Sequence, residues 1–166
     1  MFNWNEIYSM PYNASIDTTI QSFQYKLINR IIPTNKFLFK CKLVSSTLCD
    51  LCLSNEETIT HMFWECPIIQ DIWNNLNSFF QNNGITIELN LINVLFGIST
   101  NIHYKSINYI IMLMKYYIFG SKYRKEVPNF NGFHHYLQNR ITIEREIATT
   151  KNKLNQHLQK WAFLTP

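Results

Sequence analysis

Glycine is scarce in this chain, at four residues in 166. So little of it argues against a loop-rich or all-β architecture. Long hydrophobic runs are also missing. The most apolar stretch, residues 107–119, is interrupted by Asn108 and Lys115 and is too short to span a bilayer; it is expected to be a buried helix, with no membrane partner. The opening run MFNWNEIYSMPYN has neither a basic segment nor an apolar core of the kind that directs secretion. The expected location is therefore intracellular, in the cytoplasm or nucleus. No Gly-rich phosphate loop, no G-x-S-x-G elbow, no Tyr-x-Asp-Asp polymerase motif and no carboxylate pair spaced for acid–base work occurs. The chain is expected not to be an enzyme by itself.

Positive charge is absent from one region altogether. Residues 43–104 contain no Lys or Arg and six Asp/Glu, whereas residues 1–42 carry a net +3 and residues 105–166 a net +7. An acidic middle thus separates two basic arms, and a nucleic-acid partner would be drawn to the arms.

Inside that acidic stretch lies the run CDLCLSNEETITHMFWEC, which places Cys49, Cys52, His61 and Cys66 in the spacing C-x2-C-x8-H-x4-C. Zinc takes four soft or borderline ligands in a tetrahedron. A C-x-x-C pair grips it from one tight turn, and a second pair closes the shell. With all four vertices filled by protein, no position remains for a water nucleophile, so one structural Zn²⁺ is expected. A redox C-x-x-C would want a thioredoxin-like strand before it and helix after it, and neither is evident. Disulfides are disfavoured by a reducing compartment. Cys41 is expected to be a small buried hydrophobe rather than a ligand.

Hydrophobic spacing gives the rest of the organisation. Residues 1–14, with Pro11 and Asn13, read as an irregular lead-in. Ile16, Ile20, Phe23, Leu27 and Ile31 recur at helical spacing up to Pro33. Lys26 and Arg30 would share a face of that helix, and Lys36 and Lys40 a face of a second one from Asn35 to about Leu43, capped by Thr34. His61 and Cys66, five apart, would point about 140° apart on a regular helix. The chain is expected to leave the helix before Cys66, aided by Pro67. Pro67 would open the next helix, with Ile69, Ile72, Trp73, Leu76 and Phe80 as its inner stripe, ending near Asn82–Gly84. An extended connector, a short helix over 91–96 and a long helix from His103 to about Lys125 follow. A final helix or broken pair would bury Phe133, Leu137, Ile141, Ile147, Leu154, Leu158 and Trp161. Phe63 and Trp64 are of the kind that could stack a base, although aromatics beside a metal more often pack around its ligands.

The run FQYKLINRIIPTNKFLFKCKLVSSTLCDLCLSNEETITHMFWECPIIQDIWNNL, residues 23–76, resembles the zinc-binding domain at the C-terminal end of reverse transcriptases of LINE-type (non-LTR) retrotransposons. Such domains combine a basic helix, an LP-x-N-like turn, the Cys/Cys/His/Cys cluster and a helix bearing Trp. Here the turn is IPTN and the aromatic is Trp73. The later segments NVLFGI, INYIIMLMKYYIFGSKYRK and IEREIATTKNKLNQHLQKW are similar to the tail of such polyproteins. The retroviral nucleocapsid knuckle differs: its excursion is shorter and its surroundings basic, whereas this one bears Glu56 and Glu57.

The expected fold is mainly α, with a zinc-stapled helical domain at 15–84 and a helical C-terminal subdomain at 85–166. The resemblance implies a role in holding RNA, or DNA, during target-primed reverse transcription. The candidate phosphate contacts are Lys26, Arg30, Lys36, Lys40 and Lys42 in one arm and Lys122, Arg124 and Lys125 in the other. A protein-interaction module that docks its zinc-stapled face on a polymerase core or another protein partner is the other reading. Salt separates the two, because phosphate binding weakens steeply with it.

Overall fold

The computed structural model describes residues 3–164, which are helical with no strand beyond an isolated bridge. Helix α1 spans Trp4–Ala14, α2 Thr18–Ile28, α3 Asn35–Lys40, α4 Pro67–Asn82 and α5 Leu91–Phe96. Helix α6 spans Lys105–Arg124, α7 Phe130–Thr150 and α8 Leu154–Lys160. Among the described residues no helix is long and apolar enough to cross a membrane.

Helix α6 is the axis of the fold. Twelve of its 20 residues are buried, including the unbroken run Ser106–Lys115, and a helix apolar on all sides must be covered on all sides. Helices α1, α2 and α7 pack against it, and α4 packs on α7. One hydrophobic cluster extends from Met10 to Trp161 and includes Cys49, Phe63, Cys66 and Trp73 beside the α6 residues. Asn108 is buried on α6 with both polar atoms bonded: its Oδ1 accepts from Ile98 N–H at 2.9 Å and its Nδ2 donates to Ser99 O at 2.8 Å. Gly97 ends α5 at φ +87°, and a Cβ there would meet Met10 Cε of α1 at 2.8 Å, so glycine is required on both counts.

Several expectations from the sequence are corrected. The lead-in is helix α1. Asn3 caps it, and Ile7, Met10, Pro11 and Ala14 form its buried stripe. Pro11 removes one hydrogen bond, a cost of about 3 kcal/mol. Burial of Ile7 and Met10 alone returns about 1.5–3 kcal/mol each, which offsets it. Helix α2 stops at Ile28, well before Pro33, and Arg30 lies beyond it with φ 58°. Lys26 and Arg30 therefore do not share a helical face, and Ile16 and Ile31 are exposed. Helix α3 ends at Lys40 rather than Leu43, and Cys41 just after it is exposed. At the C-terminal end, Asn152 adopts φ 54° between α7 and α8 and re-phases the apolar stripe. Beyond it His157 and Trp161 turn inward and Leu158 faces solvent; Ile147, before it on α7, is also exposed.

Candidate metal centre

The four residues singled out in the acidic stretch come together. One ligand atom from each of Cys49, Cys52, His61 and Cys66 lies within 4.8 Å of all the others. A tetrahedron with Zn–S bonds of about 2.3 Å has edges of about 3.8 Å, so three thiols and an imidazole at this spacing fit a single ion with little adjustment. Cys49, His61 and Cys66 are buried and Cys52 is half-buried. Cys52 Sγ stands 3.3 Å from His61 Nε2.

Local backbone geometry builds each half of the site. Leu48 and Glu56 form an antiparallel bridge. Within it Cys49 N–H donates to Asn55 O at 2.8 Å and Glu57 N–H to Thr47 O at 2.8 Å. The tip folds back as Leu53 N–H donates to Cys49 O at 2.9 Å, with Leu53 at φ 55°. This loop points backbone N–H groups of Leu51 and Cys52 at Cys49, and those of Ser54 and Asn55 at Cys52. Burial, aided by the neighbouring Cys66 and Cys52, nevertheless pushes the Cys49 thiol up to about 12. At Cys52 burial also pushes upward, but those N–H groups and the His61 ring outweigh it and the thiol falls to about 6. Buried thiols so placed are suited to a cation, whose charge reverses the cost of deprotonation.

The second half resolves the angular problem posed by His61 and Cys66. The helix does not simply end; its last turn, His61–Glu65, widens to a π turn in which Cys66 N–H donates to His61 O at 3.1 Å. An i→i+5 closure brings residues five apart to one side, and Cys66 is then extended at ψ 128°. The carbonyls freed by the widening are taken up by α4. Trp73 Nε1 donates to Phe63 O at 2.7 Å, and Gln70 Nε2 donates to Trp64 O at 2.8 Å. Phe63 is fully buried against Phe23, and Trp64 packs on Trp73 at 6.5 Å. Phe63 is thus a packing residue with no face open to a base.

A polar lock then fastens the knuckle to the rest of the molecule. Asn35, at the start of α3, donates from Nδ2 to Leu48 O at 2.7 Å and to Asp50 Oδ1 at 2.9 Å. Its backbone N–H donates to Glu57 Oε1 at 2.8 Å. Lys122, from the end of α6, donates to Asn35 Oδ1 at 2.6 Å and to Asp50 Oδ2 at 3.1 Å, and pairs directly with Glu57. The side chains of Lys122 and Glu57 are only 14% and 3% exposed.

Lys122, a candidate phosphate contact in the sequence, has its amine turned inward onto Asn35, Asp50 and Glu57. Arg124 donates to Glu126 Oε2 at 2.7 Å, and Lys125 is exposed at the end of α6. In the first arm Lys36 pairs with Glu56 at 2.5 Å on the surface. Each basic arm thus sends one lysine back onto the acidic knuckle. Asn35 and Glu57 do not stand out as site residues in the sequence, and Lys122 stands out only as a candidate phosphate contact. The only sequence signal for them was the Asn of the IPTN turn and the isolation of three acids from any nearby cation.

Residues 2–73 match the family model described as zinc-binding in reverse transcriptase. Over that segment, which is under half of the chain, the protein is similar to zinc-binding domains of the reverse-transcriptase type. No curated protein matches the chain. The match takes in α1, α2, α3 and the knuckle and closes on Trp73. The domain's last matched residue is therefore the one whose indole holds the π turn. Lys122, which completes the polar lock around the domain, lies outside the matched residues.

Proposed function

We propose that this chain is a non-catalytic module in which Cys49, Cys52, His61 and Cys66 hold one structural zinc, and which binds RNA through the basic surface beside the knuckle. DNA is the alternative strand. The setting would be target-primed reverse transcription of the LINE type, inside the cell. A closed shell of four protein ligands leaves no open metal position for catalysis.

One observation carries the nucleic-acid reading. Among the described residues, Lys26, Arg30, Lys40 and Lys42 are exposed and have no carboxylate within ion-pairing distance. Lys36, whose surface pair is worth little, stands among them. Arg30, Lys36 and Lys40 line one groove between α2, α3 and the helix carrying His61. Lysines needed for internal structure are buried and partnered in this protein; these are left free for phosphate.

The test is binding of an RNA oligonucleotide across a salt series, comparing the parent with a variant carrying Gln at Lys26, Arg30, Lys40 and Lys42. Each lost phosphate contact should flatten the log–log salt slope by roughly 0.7 for a single strand. Equal affinity and slope in the two proteins would overturn the assignment. Salt-insensitive association with a reverse-transcriptase core, in place of RNA binding, would make the module a protein-docking one.

A further inference from the structure

The second basic arm carries a net +7 over residues 105–166. Two of its cations are engaged within the chain: Lys122 in the polar lock and Arg124 on Glu126. Three others converge from separate elements. Lys105 opens α6, Lys151 follows the end of α7 and Lys153 precedes α8. Asn152, at φ 54°, turns the chain between the last two. Helix α8 then docks on the start of α6. Ser106 Oγ donates to Lys160 O at 2.5 Å, and the rings of Tyr109 and Trp161 lie 5.9 Å apart. This folding back sets Lys105 on the same groove as Lys151 and Lys153.

The groove has a volume of about 900 Å³, with Ile16, Ile102 and Ile147 exposed along its walls. Lys151 and Lys153 are exposed and Lys105 is half-buried. Among the described residues, none of the three has a carboxylate within ion-pairing distance. Glu144 is the one carboxylate among the described lining residues, and its charge is already met. It accepts from Lys160 Nζ at 2.5 Å and from Trp161 Nε1 at 2.8 Å. Helix stability does not account for the free lysines. Lys105 and Lys153 stand at helix starts, where the helix dipole favours an anion and opposes a cation.

We propose that this groove is a second nucleic-acid site, which takes the phosphates of a strand on Lys105, Lys151 and Lys153 while the sugars lie against the isoleucines. Lysines are point charges on flexible stems. Spread along a groove, they suit successive phosphates of a backbone, whereas one isolated phosphate is better held by an arginine fork or a nest of N–H groups. Backbone contacts position a strand without reading its bases, so the site is sequence-tolerant. Apart from Ala14 and Ile16, its lining lies outside residues 2–73. It uses none of the cations assigned beside the knuckle. Ile16 lines this groove just before α2, and Leu27 and Ile28 line the other at the far end of α2. The two grooves thus open at opposite ends of that helix, about 16 Å apart along its axis. One chain can hold two strand segments at once.

The experiment titrates the full chain with a six-nucleotide oligouridine RNA and counts bound copies by native mass spectrometry. The parent should bind two copies. Combined Lys105→Gln, Lys151→Gln and Lys153→Gln should leave one, with helical content intact by circular dichroism, and arginine at the same three positions should restore the second. In a salt series the glutamine variant should flatten the log–log slope of this site by roughly 2, at about 0.7 per contact. Bound RNA should also protect these three amines from acetylation in the parent, a readout that needs no substitution. Unchanged stoichiometry and slope in the glutamine variant, with no protection of the amines, would overturn the site. Protection by phosphatidylserine vesicles but not by RNA would make the groove a membrane-facing one and overturn it equally. The glutamine variant at Lys26, Arg30, Lys40 and Lys42 separates the two readings. If it still binds two copies while the groove variant loses one, this site stands and the one beside the knuckle falls.

Discussion

Helix α6 passes through two regions that handle positive charge in opposite ways. At its end Lys122 meets Asn35, Asp50 and Glu57, and every donor has an oxygen to face. At its middle Lys115 is wholly buried with no carboxylate: its Nζ donates to Gln24 Oε1 at 2.6 Å and to Leu95 O at 3.3 Å. Burial pulls the Lys115 amine down to about 7. The difference follows from what surrounds each lysine. The edge of the knuckle that meets α6 presents the polar groups of Asn35, Asp50 and Glu57, so the lysine that arrives there finds charged partners. The centre of α6 lies in the main hydrophobic cluster, where abundant apolar contact tolerates one amine at its own cost.

The largest effect should come from breaking the knuckle's own device. The protein is expected to carry one zinc per chain by elemental analysis. Cys49→Ser or His61→Ala should lose both the zinc and the fold. Structural zinc sites bind with apparent free energies of about 10–16 kcal/mol, as much as a whole domain's stability of about 5–15 kcal/mol. A well-folded, zinc-free chain would remove the metal from the comparison.

Next in size is Lys122→Met, which leaves Glu57 buried without its partner. Loss of one member of a buried pair costs about 3–5 kcal/mol. Urea unfolding at pH 7 measures it, and adding Glu57→Gln to the same chain should recover part of the loss. A change below about 1 kcal/mol would show that the lock contributes little.

The most selective effect is the pH response of Lys115. Its folded-state pKa of about 7 lies below the value of about 10.5 of a free lysine. Between these values the unfolded chain holds a proton that the folded chain does not. Stability should therefore rise with pH across that window, by up to about 1.4 kcal/mol per unit. Below pH 7 both states are protonated and the contribution levels off. In Lys115→Met that part of the rise between pH 7 and 10 should vanish. An identical pH profile in parent and variant would mean that the amine keeps its charge inside the core.

Local features were legible in the sequence and remote ones were not. The stripe Ile69, Ile72, Trp73, Leu76 and Phe80 is the buried set of α4 because helical periodicity and a Pro at its first position act within a few residues. The Cys/Cys/His/Cys spacing likewise announces itself over a short span. Helix α1 was hidden because Pro11 suggested a break, although Asn3 and the Ile7–Met10–Ala14 spacing were present. The register of α8 was lost at one left-handed residue, Asn152. The Lys122–Glu57 pair joins residues 65 positions apart, and no local pattern encodes such a meeting. The charge count did reveal an acidic middle between basic arms, but not that the arms fold back on it.

That pairing also imposes an order on events during synthesis. Chains emerge at about 5–20 residues per second, so the knuckle is complete several seconds before Lys122 is available. In that interval Glu57 has Asn35 N–H beside it but no cation. A newly made knuckle can gather its four ligands early, yet it stays loosely fastened until α6 arrives. The late lysine acts as a completion signal, and a chain interrupted before α6 would be left with an acidic, unsecured loop.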